Sequence, residues 1–275
     1  MVIGICSNAL RDINYEVAKY VADFISNHGS IAVFEDDIQK VDLIVSIGGD
    51  GTLLSTIYKF RHLGVPFVGI NKGSIGFLTD IELDRIDEAL LNIINGEYKV
   101  INRSQLYIEI FDKNGNLKDS AVCLNDAVVS RGSDLHVVKL DLYINDKPVE
   151  HFVGDGLIIA TATGSTAYSL AAGGPIMIPS MEDMIITPLC PHTLHRSSYV
   201  IDKKSVVEVH TGNFESAPII SPDGRRMVEL EPYDIIKIKR YDNVVKTIDM
   251  GFKDFYQKVS EKIAVRGSFY ENGKK

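Results

Sequence analysis

The segment Leu43-Ile44-Val45-Ser46-Ile47-Gly48-Gly49-Asp50-Gly51-Thr52-Leu53-Leu54 decides how the first third of the chain is read. Leu43 to Ile47 is short and largely apolar, the pattern of a strand buried on both faces, and glycines bound it. Beyond the glycines, Leu53, Leu54, Ile57 and Tyr58 recur at helical spacing. A strand, a glycine turn and a helix in immediate succession make a βα unit. Outward from it the same alternation repeats. Val2 to Cys6, Ile31 to Phe34 and Phe67 to Ile70 read as further strands. Ile13, Val17, Val21 and Phe24, with Tyr20 beside them, mark one helix. Ile86, Leu90, Ile93 and Ile94 mark another, closed by Asn95-Gly96. Such βαβα order predicts a parallel sheet covered by helices on both faces.

After about Val100 the period changes to two. Leu106 to Phe111 and Val137 to Asn145 alternate, with Val138, Leu140, Leu142 and Ile144 on one face and Lys139, Asp141 and Tyr143 on the other. These are half-buried antiparallel strands. Turn signals follow at close intervals: Asn114-Gly115-Asn116, Asn145-Asp146-Lys147-Pro148, Thr211-Gly212-Asn213 and Pro222-Asp223-Gly224. Phe255 to Ile263, with Val259 and Ile263 on one helical face, predicts a last helix that returns to the first domain, and ENGKK reads as a frayed tail. The expected organisation is an α/β nucleotide-binding domain over residues 1–100, completed by 254–275, and a β-rich, sandwich-like dinucleotide-binding domain over 101–253. The chain carries no internal repeat.

Composition narrows the function classes. With 275 residues and 45% hydrophobic content there is material for a substantial core and two domains. A net charge of −8 argues against an electrostatic hold on nucleic acid or anionic lipid and favours small-molecule partners. The three cysteines, Cys6, Cys123 and Cys190, show no C-x-x-C spacing, so they read as structural thiols in a reducing compartment and the protein as cytoplasmic. No apolar run approaches a membrane span, and no metal site is indicated. His192 and His195, three residues apart without a third ligand, read as structural.

The chemistry concentrates where the strand of the opening segment ends. Parallel sheets place ligands at the carboxyl ends of their strands. Gly48, Gly49 and Gly51 lack a Cβ, so the backbone can approach a bulky anion while the following helix directs its amino end toward it. A phosphate fits this loop. No G-K-[ST] follows, and Leu54 stands where a dinucleotide fingerprint needs glycine. An aspartate beside phosphates is repelled unless it binds a metal or takes a proton from a nucleophile, and phosphoryl transfer to a hydroxyl needs such a base. The competing explanation is that Asp50 only caps the helix, near Thr52.

A second cluster, HFVGDGLIIATATGSTAYSLAAGGP from His151 to Pro175, packs Gly154, Asp155, Gly156, Gly164, Ser165, Thr166, Tyr168, Gly173 and Gly174 around the apolar run Leu157 to Ala160. Small hydroxyl residues and glycines after a strand let a flat ring or a ribose lie against the backbone, and Tyr168 adds an aromatic face with a polar tip. The competing explanation here is a glycine-rich surface loop. Asn125-Asp126, just before an apolar strand, is an amide and a carboxylate side by side, suited to the adjacent hydroxyls of a ribose, although the dipeptide is also common in turns.

Taken together the segments resemble the NAD kinases, which phosphorylate NAD at the adenosine ribose 2′-hydroxyl. The resemblance rests on GGDGT at Gly48 to Thr52, GINKGSIGFLTD at Gly69 to Asp80, LND at Leu124 to Asp126, GDGLIIATATGSTAYSLAAGGP at Gly154 to Pro175, PHTL at Pro191 to Leu194 and SPDGR at Ser221 to Arg225. GGDG alone also occurs in diacylglycerol kinases and 6-phosphofructokinases; the ordered set is specific. The resemblance implies a Rossmann-like domain followed by the β-rich one, with Asp50 as the general base and Gly51 beside it at the dinucleotide. It implies that Asn125 and Asp126 hold the other ribose, that Thr163, Thr166, Ala167, Tyr168 and Ala171 line the adenine and ribose pocket with Phe77 nearby, and that Asp155 sits at the nicotinamide end. Gly48, Gly49, Thr52, Asn71 and Lys72 would carry the phosphate donor, ATP with Mg²⁺ or polyphosphate in its place, and Arg225 would add positive charge. The NAD site would lie between the domains and borrow residues from a neighbouring subunit, implying a homodimer or homotetramer.

Three positions depart from the family's pattern. Val153 stands where relatives carry an arginine, His136 where they often carry a basic residue, and His195-Arg196-Ser197-Ser198 where they usually show arginine and proline after PHTL. His136 is accordingly placed among the NAD-binding residues, its alternative being a satisfied strand histidine. Two other functions remain open on the residues: a kinase of the same fold acting on a lipid or sugar-phosphate hydroxyl, and a non-catalytic sensor of NAD or NADP.

Overall fold

The computed structural model describes residues 1–73, 76–132, 136–193, 195–214, 216–225 and 228–267, with 263–267 through their backbone only. Ser74 and Ile75 of the Gly69 to Asp80 motif, Leu194 of PHTL, the side chain of Ile263 and the ENGKK tail lie outside the described residues. The chain divides into two compact units, residues 1–102 with 245–275, and residues 103–244.

The first unit runs β1 (Val2–Ser7), α1 (Glu16–Asn27), β2 (Ile31–Phe34), β3 (Leu43–Gly48), α2 (Asp50–Phe60), β4 (Phe67–Asn71), β5 (Ile81–Glu82), α3 (Ile86–Asn95) and β6 (Lys99–Arg103). The last strand and helix of the chain, Val245–Asp249 and Phe255–Gly267, belong to it as well. The sheet order is β2-β1-β3-β4, then the Val245–Asp249 strand, then β6, with β5 on β4. The β1–β2, β1–β3, β3–β4 and β4–β5 pairs are parallel. All residues of β3 and β4 are buried, as the uninterrupted apolar runs require of strands covered on both faces. Helix α1 turns Ala18, Val21, Ala22 and Ile25 onto the sheet, with Val17 and Phe24 packing partly against the same core. Ile13 lies outside the helix and is exposed, because the chain takes left-handed φ values at Asn14 and Tyr15 before α1 begins. Gly96 ends α3 at φ 76°, a cap a side chain would strain.

The second unit contains β7 (Leu106–Phe111), β8 (Leu117–Cys123), β9 (Asp126–Ser130), β10 (Val138–Ile144), β11 (Lys147–Gly154), β12 (Gly156–Ala160), the short α4 (Tyr168–Ala171), β13 (Met184–Leu189), β14 (Tyr199–Ile201), β15 (Val206–Thr211), β16 (Ile219–Pro222), β17 (Val228–Glu229) and β18 (Ile235–Arg240). Two antiparallel sheets, β11-β10-β15-β18-β7-β8 and β14-β13-β12-β9-β16-β17, share one core. Alternation supplies it: Leu106, Ile108 and Ile110 from one sheet meet Val129, Leu157 and Ile159 from the other. The β10–β11 hairpin turns at Asn145 and Asp146 with φ 52° and 61°, residue types that tolerate the left-handed region. The strand Val245–Asp249, hereafter β19, returns the chain to the first sheet, where Thr247 pairs with Phe67 of β4, and α5 (Phe255–Gly267) follows.

Candidate active site

In the first unit the register of β3 on β4 sets Gly48 opposite Asn71, so the glycine turn and the segment after β4 emerge side by side at the carboxyl end of the sheet. The N–H of Lys72 donates to the carbonyl of Gly48 at 2.7 Å. A Cβ on Gly48 would stand 2.4 Å from Oγ1 of Thr52, so the turn has room for glycine alone. Gly49 caps α2 in an extended conformation without any side-chain cap bond. The first N–H groups of the helix have no intrahelical partner by construction.

Asp50 is the first residue of α2, and its carboxylate does not cap that helix. Oδ2 accepts the N–H of Phe77 at 2.7 Å, and Oδ1 accepts the N–H groups of Leu78 (3.0 Å) and Thr79 (3.1 Å) and the hydroxyl of Thr79 (3.2 Å). Charge-assisted bonds from fixed amides orient a carboxylate without rotamer freedom to lose. Gly76 makes this approach possible, since a Cβ there would lie 2.1 Å from Oδ1 of Asp50. The capping explanation is thereby set aside, and the glycine and the Phe77 to Thr79 stretch of the Gly69 to Asp80 motif gain a physical reason: they cradle the acid.

One residue of this cradle escaped the sequence reading. Lys262 of α5 holds its ammonium 3.6 Å from Oδ2 of Asp50 and 4.0 Å from the centre of the Phe77 ring. The contact spans some two hundred positions of chain, so no local pattern could have shown it. The last helix is fixed by Lys258, which pairs with Asp80.

Lys72, the cation expected at the donor loop, is held in an ion pair. Lys72 sets its ammonium 2.9 Å from Oδ1 of Asp12, whose side chain is fully buried. Burial alone would raise the pKa of Asp12, but the bonds from Lys72, Val17, Ser7 and Ala18 outweigh it and hold the carboxyl below its usual range. Asn71 is also committed: its amide donates to both oxygens of Glu82, at 3.0 and 3.2 Å. Arg11, which the sequence reading passed over, lies on the rim of the loop, with Nη1 3.4 Å from the carbonyl of Lys72 and its guanidinium carbon 4.0 Å from where a Gly49 Cβ would stand.

In the second unit the Leu124 to Asp126 and Thr161 to Tyr168 segments come together. The Thr161 hydroxyl donates to the carbonyl of Leu124 at 2.6 Å, and its N–H to that of Asn125 at 2.9 Å. A Cβ on Gly164 would be 2.0 Å from the carbonyl oxygen of Asn125, which is why glycine stands in TGST. Thr163 and Thr166 are buried, Tyr168 opens α4 half exposed, and Ala167 and Ala171 border it. Ser165, counted in the sequence with the ligand-facing hydroxyls, faces inward and bonds Ala162 and Met177.

Two acceptors in this region lack donors among the described residues. Oδ1 of Asn125 is buried without a partner. Asp126 is 5% exposed, and no hydrogen bond reaches its carboxylate. Burial, and then the negative charge of Asp223, push its pKa up to about 7. Arg225 follows on the same turn as Asp223 and is exposed.

The remaining predicted residues lie apart from this group. Asp155 accepts Nε of Arg131 at 2.9 Å, with the thiol of Cys190 beside it, so Cys190 is an exposed thiol at a polar cluster while Cys6 and Cys123 are core thiols. Burial raises Cys6 to about 12. His136 lines a groove of about 400 Å³ with Val137, Lys139, Asn213, Phe214 and Ser216, none of them an expected NAD contact. His195 sets Nδ1 3.1 Å from Glu150, while His192 donates its N–H to the carbonyl of Val153; their roles in the described structure are local.

A fixed acid at a glycine-turned helix start, with acceptors lacking donors at the Leu124 to Asp126 segment of the same chain, is the layout of a phosphotransferase acting on a hydroxyl. The model of the ATP-NAD kinase N-terminal domain matches residues 32–98, and that of the ATP-NAD kinase C-terminal domain matches residues 124–250. The NAD kinase of Ruminiclostridium cellulolyticum is 36% identical, covering 96% of this chain and 98% of the relative; that of Clostridium beijerinckii is 34% identical over 95% of each. Among solved structures, yeast NADH kinase complexed with NADH aligns with a TM-score of 0.83 at 24% identity, covering 98% of this chain and 89% of that one. An Archaeoglobus fulgidus NAD kinase in complex with ATP aligns at 0.78 and 22%, covering 96% and 99%. At those identities the structures bear on the fold, and they share it. The chain belongs to the NAD kinase family.

Proposed function

We propose that the enzyme transfers the γ-phosphate of ATP to the 2′-hydroxyl of the adenosine ribose of NAD, giving NADP, with Asp50 as the base that receives the hydroxyl proton. The observation that carries this reading is the state of the Asp50 carboxylate. Oδ1 takes three donors, while Oδ2 takes one amide and faces Lys262 at 3.6 Å. A carboxylate has about four lone-pair sites, so Oδ2 retains a position for an incoming hydroxyl. Alignment of that hydroxyl with the phosphate then supplies most of the acceleration, and the fixed base supplies the path for the proton.

Gly48, Gly49 and Thr52 form the turn that receives the donor phosphates, ATP or polyphosphate, with Gly51 at the dinucleotide. Asn71 and Lys72 belong to the same donor loop, held there by Glu82 and Asp12, and Arg11 adds positive charge at its rim. Asn125 and Asp126 clamp a ribose, Thr163, Thr166, Ala167, Tyr168 and Ala171 bound the adenosine, Phe77 is a further contact to NAD, and Asp155, His136 and Arg225 take the outer parts of NAD. The first unit is thus the nucleotide-binding and the second the dinucleotide-binding domain. Among the described residues no group of three or more His, Cys, Asp or Glu could hold a metal, and Asp50 is turned to amides. Mg²⁺ would come with the donor and offset the negative charge of its phosphates. No described helix is long and apolar enough to cross a membrane; we place the enzyme in the cytoplasm on the spacing of its three cysteines, which suggests no disulfide framework, and in a homodimer or homotetramer on its family. Sedimentation velocity checks the assembly.

The test of function is a coupled assay. Protein is incubated with Mg-ATP and NAD, and an NADP-specific dehydrogenase then reduces the product. Formation of NADPH is expected. NAD bound without turnover would make the chain a sensor, and turnover only with a lipid or sugar phosphate would make it another kinase of the fold.

A further inference from the structure

Asp223 is a half-buried acid that stands outside the groups assigned to NAD above. It sits where β16 turns toward β17, at φ 51°, a conformation few non-glycine residues adopt. Its surroundings explain how it is kept there. Its N–H donates to the carbonyl of Asp126 at 2.9 Å. Its carboxylate collects three consecutive amides in return: Leu124 on Oδ2 at 2.8 Å, and Asn125 and Asp126 on Oδ1 at 2.7 and 3.2 Å. Those three residues carry the two donor-starved acceptors, Oδ1 of Asn125 and the carboxylate of Asp126. A folded chain leaves such acceptors bare where a ligand brings the donors. The adjacent hydroxyls of a ribose are two such donors on neighbouring carbons.

We propose that Asp223 is a positioning residue for dinucleotide binding: by gathering the amides of Leu124, Asn125 and Asp126 it fixes the angle at which Asn125 and Asp126 present two acceptors to a ribose. The proposal rests on the reading of Asn125-Asp126 as the ribose clamp. It also gives the SPDGR motif a reason for its aspartate, whose charged acceptor reaches the clamp's backbone. The charge has a second consequence. Asp223 faces Asp126, with Arg225 on the same turn acting on Asp223; the strand residue opposite Asp126 on β12 is the uncharged Ala160, and Arg103 bonds the nearby Thr163 hydroxyl at 3.3 Å. Asp126, raised to about 7 by burial and by Asp223, accepts from hydroxyls best when ionised, so NAD binding strengthens as pH rises through that value.

Steady-state kinetics of the full chain decide the matter. Asp223→Asn keeps the shape of the side chain but drops one charged acceptor and the charge. We expect KM for NAD to rise roughly tenfold, with kcat and KM for ATP within about twofold of the parent. The fall of KM for NAD with rising pH should move to lower pH in this variant, a change that loosened packing would not produce. Asp223→Glu, which keeps the charge and displaces the oxygens, should raise KM for NAD while leaving the pH at which it falls unchanged. Parent-like KM and pH dependence in both variants would overturn the proposal. Asn125→Ala and Asp126→Asn separate the two readings: if they leave KM for NAD unchanged the clamp itself is wrong, and if they raise it while the Asp223 variants do not, only the positioning role fails. Should the Asp223 variants not fold, the parent enzyme still answers, because a KM for NAD flat between about pH 6 and pH 8 contradicts the proposal.

Discussion

Two aspartates, one in each unit, show how the same side chain is prepared for opposite tasks. Asp50 of the first unit is supplied with donors, three amides and a hydroxyl, and stands at the surface of its unit with a side chain 30% exposed. Asp126 of the second is 5% exposed, has no donor among the described residues, and faces another carboxylate. The first arrangement holds a carboxylate aimed in one direction, which suits a base that must be in place before its substrate arrives. The second stores an unmet demand for hydrogen bonds, which a ligand with hydroxyl groups satisfies. A carboxylate's function follows from what its oxygens lack, and neither acid could be assigned from its identity alone.

The contrast is broken most severely at Asp50. Asp50→Asn retains the hydrogen-bond acceptor Oδ1 but removes the base, and kcat should fall by about 10²–10⁴-fold while the calorimetric Kd for NAD stays within about twofold. Comparable turnover would assign the proton to another acceptor. Next in size is Gly76→Ala, whose Cβ would collide with Oδ1 of Asp50 at 2.1 Å. The acid must turn away or the loop must shift, so kcat should drop about 10–100-fold, with ~1–3 kcal/mol lost in denaturant unfolding. Unchanged kcat would mean the cradle is incidental to catalysis.

Lys262 is a smaller lever on the same acid. Lys262→Met removes the cation 3.6 Å from Oδ2 while keeping an apolar contact with Phe77, and we expect kcat to fall about 3–10-fold at constant KM for ATP, with partial recovery in Lys262→Arg. Equal loss in both variants would point to packing of α5 rather than charge. The smallest effect concerns stability at Asp126. Its folded pKa, about 7, lies above the ordinary carboxylate range, so the stability it contributes is present at low pH and lost as pH rises through about 7. The ligand-free protein should therefore melt at a lower temperature at pH 8 than at pH 6, and Asp126→Asn should flatten that dependence. An unaltered slope in the variant would remove Asp126 as its source.

Much of this was legible in the sequence because it is local. The apolar run of β3, the glycines and the helical spacing of Leu53 and Ile57 place the turn and Asp50 without any tertiary information. Period two in Val138, Leu140 and Leu142 gives the sandwich face. What escaped was long-range. Lys262 meets Asp50 only after α5 returns, Asp12 draws Lys72 into a buried ion pair, and Glu82 takes the amide of Asn71. None of these pairings leaves a periodic trace. Tyr58, read as part of the apolar helix face, is exposed, because Thr56 and Phe60 share the inward side of α2 with Leu53 and Ile57. Cys190 looked like Cys6 and Cys123 until its neighbours Asp155 and Arg131 were known.

The central assignment is that Asp50 receives the proton of the adenosine 2′-hydroxyl. A crystal structure of the enzyme with NAD bound measures this directly. The account predicts the 2′-oxygen about 2.6–3.2 Å from Oδ2 of Asp50, with the amides of Phe77, Leu78 and Thr79 still on the carboxylate. A 2′-hydroxyl turned toward another acceptor, with Oδ2 of Asp50 bonded to Lys262 instead, would contradict it.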